Sequence, residues 1–90
     1  MNPEIRKLAA WATSNGWLVE DAAKGYTHFF DPDGTHVGYY PATPGNAYRR
    51  RMQLEVDLAR AGLELPIPGK KVLRARRAKE FGHGEASGDE

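Results

Sequence analysis

The chain has 90 residues, 40% hydrophobic and 28% charged, the balance of an ordinary folded domain, and it holds no cysteine. Disulfide frameworks, thiol chemistry and cysteine-ligated zinc are therefore excluded, and no apolar run approaches the roughly 20 residues that a transmembrane helix needs. A formal net charge of +1 conceals an uneven distribution: Arg49, Arg50 and Arg51 stand together, and residues 70–80 set Lys70, Lys71, Arg74, Arg76, Arg77 and Lys79 against Glu80 alone.

The first dozen residues lack the long apolar segment of a secretory signal and carry Glu4 early, so the expectation is a cytoplasmic chain with no membrane partner. Asn2 is placed to cap a first helix, Pro3 suits its opening turn, and Glu4 complements the positive end of the helix dipole. Ile5, Leu8, Ala9 and Ala12 recur at helical spacing on one apolar face, and Asn15-Gly16 supplies the stop.

From Trp17 the pattern becomes extended. Trp17–Glu20 reads as a strand, residues 22–25 as a turn, and Tyr26–Phe30 as a second strand with Tyr26, His28 and Phe30 on one face. Asp31-Pro32-Asp33-Gly34 is a strong turn signal, and His36–Tyr40 is the return strand of an antiparallel meander. The Pro41–Asn46 stretch then breaks the sheet. A second helix is predicted over Ala47–Ala61, with Tyr48, Met52, Val56, Ala59 and the flanking Leu63 as its apolar stripe, widened by Leu54 and Leu58, and Gly62 as its stop.

These elements predict an α+β domain over residues 1–66, in the order α-β-β-β-α, with two helices packed on one face of a three-stranded antiparallel sheet. The other face stays open for a ligand. Residues 67–90 are an extended exit, a basic segment with few apolar anchors for a helix, and an acidic tail from Phe81 that composition marks as disordered. The exposed strand edge of so small a sheet is a plausible seam for a homodimer.

No nucleophile elbow, phosphate loop or dinucleotide fingerprint occurs, and no cofactor is expected. Of the three histidines at 28, 36 and 83, only His28 and His36 can meet, across the Asp31–Gly34 turn, and two ligands are too few for a zinc centre. What remains is acid–base chemistry. An imidazole titrates near neutrality and can take the proton from a ribose 2′-hydroxyl, which makes His28 the candidate catalytic residue for cutting RNA. Lys24 and Arg49–Arg51 are candidates to steady the phosphate, Tyr26, Tyr39 and Tyr40 to stack bases, and Lys70 and Lys71 to add affinity for the RNA backbone.

Lys24-Gly25, the run Phe30-Asp31-Pro32-Asp33-Gly34, Val37, the Pro41-x-Thr43-Pro44 break and a helix ending Leu58-Ala59-Arg60-Ala61-Gly62-Leu63 follow one another in an order that resembles the HicA-type toxins. These are small mRNA interferases of toxin–antitoxin pairs, and the likeness is greatest to their actinobacterial or phage-borne members. It covers roughly residues 5–66. It implies a fold like that of a double-stranded RNA-binding domain, a HicB-type antitoxin as partner, and a catalytic histidine just after a glycine at the start of the second strand. Counted back from Pro32-Asp33-Gly34, that position holds Tyr26, and His28 stands two residues later on the same strand face, about 7 Å along. Two readings follow: a ribonuclease using His28, or a catalytically degenerate binding module for RNA or a protein partner, a phage or host regulatory protein.

Overall fold

In a computed structural model, which describes residues 1–82, the Asn2 side chain accepts the Glu4 N–H at 2.9 Å and Pro3–Ile5 form a single 3-10 turn. Helix α1 (Arg6–Ser14) continues from it. Ile5, Leu8, Ala9 and Ala12 are all buried, the face their spacing predicts. Trp17 is buried too, and strand β1 (Leu18–Asp21) begins one residue after it.

A short 3-10 turn at Ala23–Gly25 leads into strand β2 (Thr27–Phe30). Lys24 and Gly25 both take left-handed backbone conformations there, at φ 68° and 81°. A side chain at Gly25 would also come within 3.0 Å of Ala42 Cβ, so glycine suits this position twice over. Asp31 organises the next turn: its Oδ1 accepts the backbone N–H groups of Asp33 and Thr35, each at 2.9 Å, and its carbonyl accepts the Gly34 N–H. Strand β3 (His36–Tyr40) returns antiparallel, giving one open sheet in the order β1-β2-β3.

Asn46 caps helix α2 (Ala47–Arg60), its side chain accepting the Arg49 N–H at 3.0 Å. Here the predicted stripe is corrected. Leu54 and Leu58 are the fully buried residues of α2, whereas Tyr48 is 70% exposed and Met52 and Val56 also face outward. The cause lies across the interface at Gly38, where a Cβ would sit 3.0 Å from Leu54 Cδ1. The missing side chain leaves the space that Leu54 fills, and this fixes the rotation of α2 about its axis.

Phe29 and Tyr40 from the sheet, Ile5, Leu8, Ala9 and Ala12 from the N-terminal helical segment, Leu54 and Leu58 from α2, and Leu63 form one core. Both helices therefore cover the same sheet face, in an α+β fold. Each of the larger apolar side chains contributes about 1.5–3 kcal/mol through burial. The exit segment folds back, with Leu65 packed on the core.

The basic segment is helical, as α3 (Lys70–Gly82), although among residues 70–79 only Leu73 is partly buried. Its main polar tie is Arg76, which pairs with Glu64. Residues 67–70 and Leu73 border a groove with Lys7, Ala10, Trp11 and Ser14, so the first turn of α3 sits beside the outer side of α1. Residues 83–90, including His83 and most of the acidic tail, lie outside the described residues. No helix among the described residues is long and apolar enough to cross a membrane.

Candidate nucleic-acid interface on the open sheet face

Strand alternation sorts β2 cleanly. Thr27 and Phe29 point into the core, and His28 and Phe30 point to the open face. Strict alternation along β3 would send His36 inward with Gly38 and Tyr40. A bulge prevents this: Phe29 pairs with Gly38 but Phe30 pairs with His36, so Val37 is the extra residue. Tyr39 remains opposite His28. The bulge thereby delivers His36 to the open face beside His28.

The result is a contiguous row of rings. Tyr26 stacks on Tyr39 with centroids 5.8 Å apart and planes 9° from parallel. Tyr39 lies 5.9 Å from His28, His28 lies 5.1 Å from His36, and Phe30 meets His36 edge-on at 5.3 Å. His28 Nδ1 and His36 Nε2 are 3.0 Å apart, a hydrogen bond in which one ring donates and the other accepts. Arg50 flanks the row at Tyr39. Its Nη2 donates to the Tyr39 carbonyl at 2.8 Å, and its guanidinium carbon sits 4.7 Å above the Tyr39 ring. On the β1 side, Glu20 pairs with His28 and exposed Leu18 with Phe30.

Flat aromatic faces, a guanidinium and imidazoles side by side form a surface suited to unstacked bases and the phosphates between them. The structure brings together His28, Tyr26, Tyr39 and Arg50 of the candidates named from sequence. Tyr40 is corrected: it is 0% exposed, belongs to the core, and burial pushes its phenol above the ordinary tyrosine range. Lys24 is exposed in the turn that leads into Tyr26.

The arginine triplet does not act as one cluster. Successive helical residues diverge by about 100°. Arg49 and Arg50 border a groove of about 450 Å³ with Pro41, Thr43, Pro44 and Gln53. Arg51 turns to the other side of α2, where its Nε lies 3.3 Å from Glu55 Oε2 without an aligned hydrogen bond. Lys70 and Lys71 belong to α3, behind the helix layer and away from the rings.

Two ring-bearing residues of this face, His36 and Phe30, were not among the predicted site residues. The alternation did place Phe30 beside His28. His36 carried no such signal, because nothing local to His36-Val37-Gly38 announces a bulge. Among the described residues no three histidine, aspartate or glutamate side chains gather as a metal-holding set. Set against family models, curated proteins and solved structures, the chain matches none of them.

Proposed function

We propose that this chain binds single-stranded RNA on the open face of its sheet and cleaves it as a HicA-like, metal-independent endoribonuclease in the cytoplasm, with a HicB-type antitoxin covering that face when the protein is held inactive. The observation that carries this reading is the unbroken row Tyr26, Tyr39, His28, His36 and Phe30, with Arg50 fastened to its edge. Base stacking on such rings tolerates many sequences, and Arg50 adds positive charge where a phosphate would pass. His28 is the base that takes the 2′-hydroxyl proton. The test is cleavage of a mixed-sequence RNA by the purified chain and by His28→Ala, both in EDTA. Equal cleavage by the two removes His28 from the mechanism, and cleavage by neither removes the enzyme.

A second reading keeps the RNA and drops the chemistry. It is favoured by Tyr26, which stands where the resemblance puts the histidine and stacks on Tyr39 as part of the platform. Under it, both proteins bind RNA and leave it intact, His28→Ala more weakly for the loss of one ring.

A further inference from the structure

We propose that His28 and His36 work as one general acid–base unit, which makes His36 a second catalytic residue for RNA cleavage on this face. The proposal rests on the cleavage reading above and assigns a role that the resemblance does not supply.

The argument starts from the 3.0 Å bond between His28 Nδ1 and His36 Nε2. Each ring keeps one outer nitrogen, Nε2 of His28 and Nδ1 of His36, and neither has a protein hydrogen-bond partner among the described residues. A neutral imidazole carries one N–H. If His28 Nδ1–H donates inward, then His28 Nε2 is bare and His36 Nδ1 carries a proton. If His36 Nε2–H donates instead, the two outer nitrogens exchange roles. In either tautomer the neutral pair therefore offers a base at one end and an acid at the other. Cleavage of a ribonucleotide linkage at its own 2′-hydroxyl needs one of each.

The proton inventory closes. His28 Nε2 takes the proton from the 2′-hydroxyl as the 2′-oxygen forms its bond to phosphorus. The bond from phosphorus to the 5′-oxygen breaks, its electron pair stays on that oxygen, and the His36 Nδ1 proton passes to it. The proton between the rings moves from His28 Nδ1 to His36 Nε2, so both imidazoles end neutral and in the opposite tautomer. The product is a 2′,3′-cyclic phosphate and a free 5′-hydroxyl. Water can then open the ring with the roles reversed: His36 Nδ1 takes a water proton, His28 Nε2 returns one to the 2′-oxygen, and the starting tautomer is restored.

The surroundings fit this chemistry. Tyr39 and Phe30 flank the two rings at 5.9 and 5.3 Å, and Arg50 lies over Tyr39. The Val37 bulge is what makes the pair, since without it His36 would face the core.

The experiment uses the full chain in EDTA and a mixed-sequence single-stranded RNA whose main cleavage site is first mapped with the wild type. Three probes follow: that RNA, a copy with a 2′-deoxy residue at the site, and a copy with sulfur in place of the bridging 5′-oxygen. The sulfur leaves as a thiolate and needs no acid. His28→Ala and His36→Ala are each expected to slow cleavage of ordinary RNA by about 100-fold or more. The double variant is expected to be no slower than the worse single, because the two act as a unit. On the sulfur-bridged strand His36→Ala recovers and His28→Ala does not, with single-turnover rates compared at saturating protein because each variant also loses one ring of the binding row and holds the 2′-deoxy strand less tightly than the wild type.

Wild-type rates in His36→Ala on ordinary RNA, or no recovery on the sulfur-bridged strand, overturn the acid role and leave the cleavage reading standing. Wild-type activity that vanishes in EDTA and returns with zinc overturns it in favour of a metal held by the same rings. A wild type that binds the 2′-deoxy strand but cuts nothing overturns the cleavage reading and the pair's role with it.

Discussion

Arg76 grips Glu64 through two parallel hydrogen bonds, Nη1 to Oε1 and Nη2 to Oε2, each 3.1 Å long. The Glu64 carbonyl at the same time accepts the Trp11 indole N–H at 2.8 Å, so one residue ties α3 to α1. Both charged side chains are about half exposed, and such a pair contributes little to global stability. Its effect is local. With only Leu73 partly buried, the position of α3 depends on this fork.

Arg76→Ala is therefore expected to leave the unfolding midpoint close to that of the wild type while raising amide exchange across residues 70–79. Hydrogen exchange followed by mass spectrometry reads both at once. Loss of protection spread evenly over α1 and the sheet would show instead that α3 is part of the cooperative core.

The same pair predicts a pH response. The hydrogen bonds from Arg76 hold the Glu64 carboxyl below its ordinary value of 4.5. A depressed carboxylate contributes its stabilisation above the ordinary value and loses it as pH falls through the lowered one. Protection of α3 is thus expected to be constant above the ordinary carboxylate range and to decline below it, with Arg76→Ala abolishing that decline. An equal acid dependence in both proteins would assign it to another group.

Gly38 and Leu54 supply a packing prediction. Gly38→Ala puts a methyl within 3.0 Å of Leu54 Cδ1 and is expected to cost about 1–3 kcal/mol by overpacking. Leu54→Ala alone is expected to cost about 2–5 kcal/mol through the cavity it leaves. In the double variant the new methyl enters that cavity, so the cost falls below the sum of the two. Urea titrations of the four proteins measure the coupling, and simple additivity would refute the contact.

Most of the fold was legible because its signals are local. Asn2, Asn46 and Asp31 each make the backbone hydrogen bonds that their positions suggest. The open face of β2 followed from alternation alone. Two features escaped, and both are set by partners distant in sequence. Residues 47–60 hold two apolar sets offset by two positions, and only the gap at Gly38 decides that Leu54 and Leu58 turn inward. The bulge at Val37 similarly depends on pairing with β2, so the place of His36 in the row could not be read from β3.

The ring row predicts a division between two adjacent tyrosines. Tyr39→Ala removes a stacking surface and the ring beneath Arg50, whose hydrogen bond to the residue 39 carbonyl stays, and is expected to weaken single-stranded RNA binding by about 1–3 kcal/mol with the fold intact. Tyr40→Ala empties a fully buried site and is expected to lower stability by about 3–5 kcal/mol, as for other large aromatic truncations. Fluorescence anisotropy and thermal melts of both variants separate the two effects. Unchanged RNA affinity in Tyr39→Ala would remove the platform.

The opposite placement of α3 and the rings predicts that salt dependence scales with RNA length. Lys70, Arg74 and Arg77 border one shallow groove of α3, with Lys71 beside them, while the rings lie beyond the helix layer on the far side of the sheet. A strand of about five nucleotides, near the lower end of the site sizes of small folds, can occupy the rings but not both surfaces. A long RNA can wrap to α3, where four neutralised phosphates contribute a slope of about −3 to log K against log salt on a single strand. Replacing the four basic residues by glutamine is therefore expected to flatten the slope by about that amount for long RNA and to leave the short strand unaffected. Equal flattening for both lengths would mean that α3 reaches the ring face in solution, and no flattening for either would remove α3 from RNA binding.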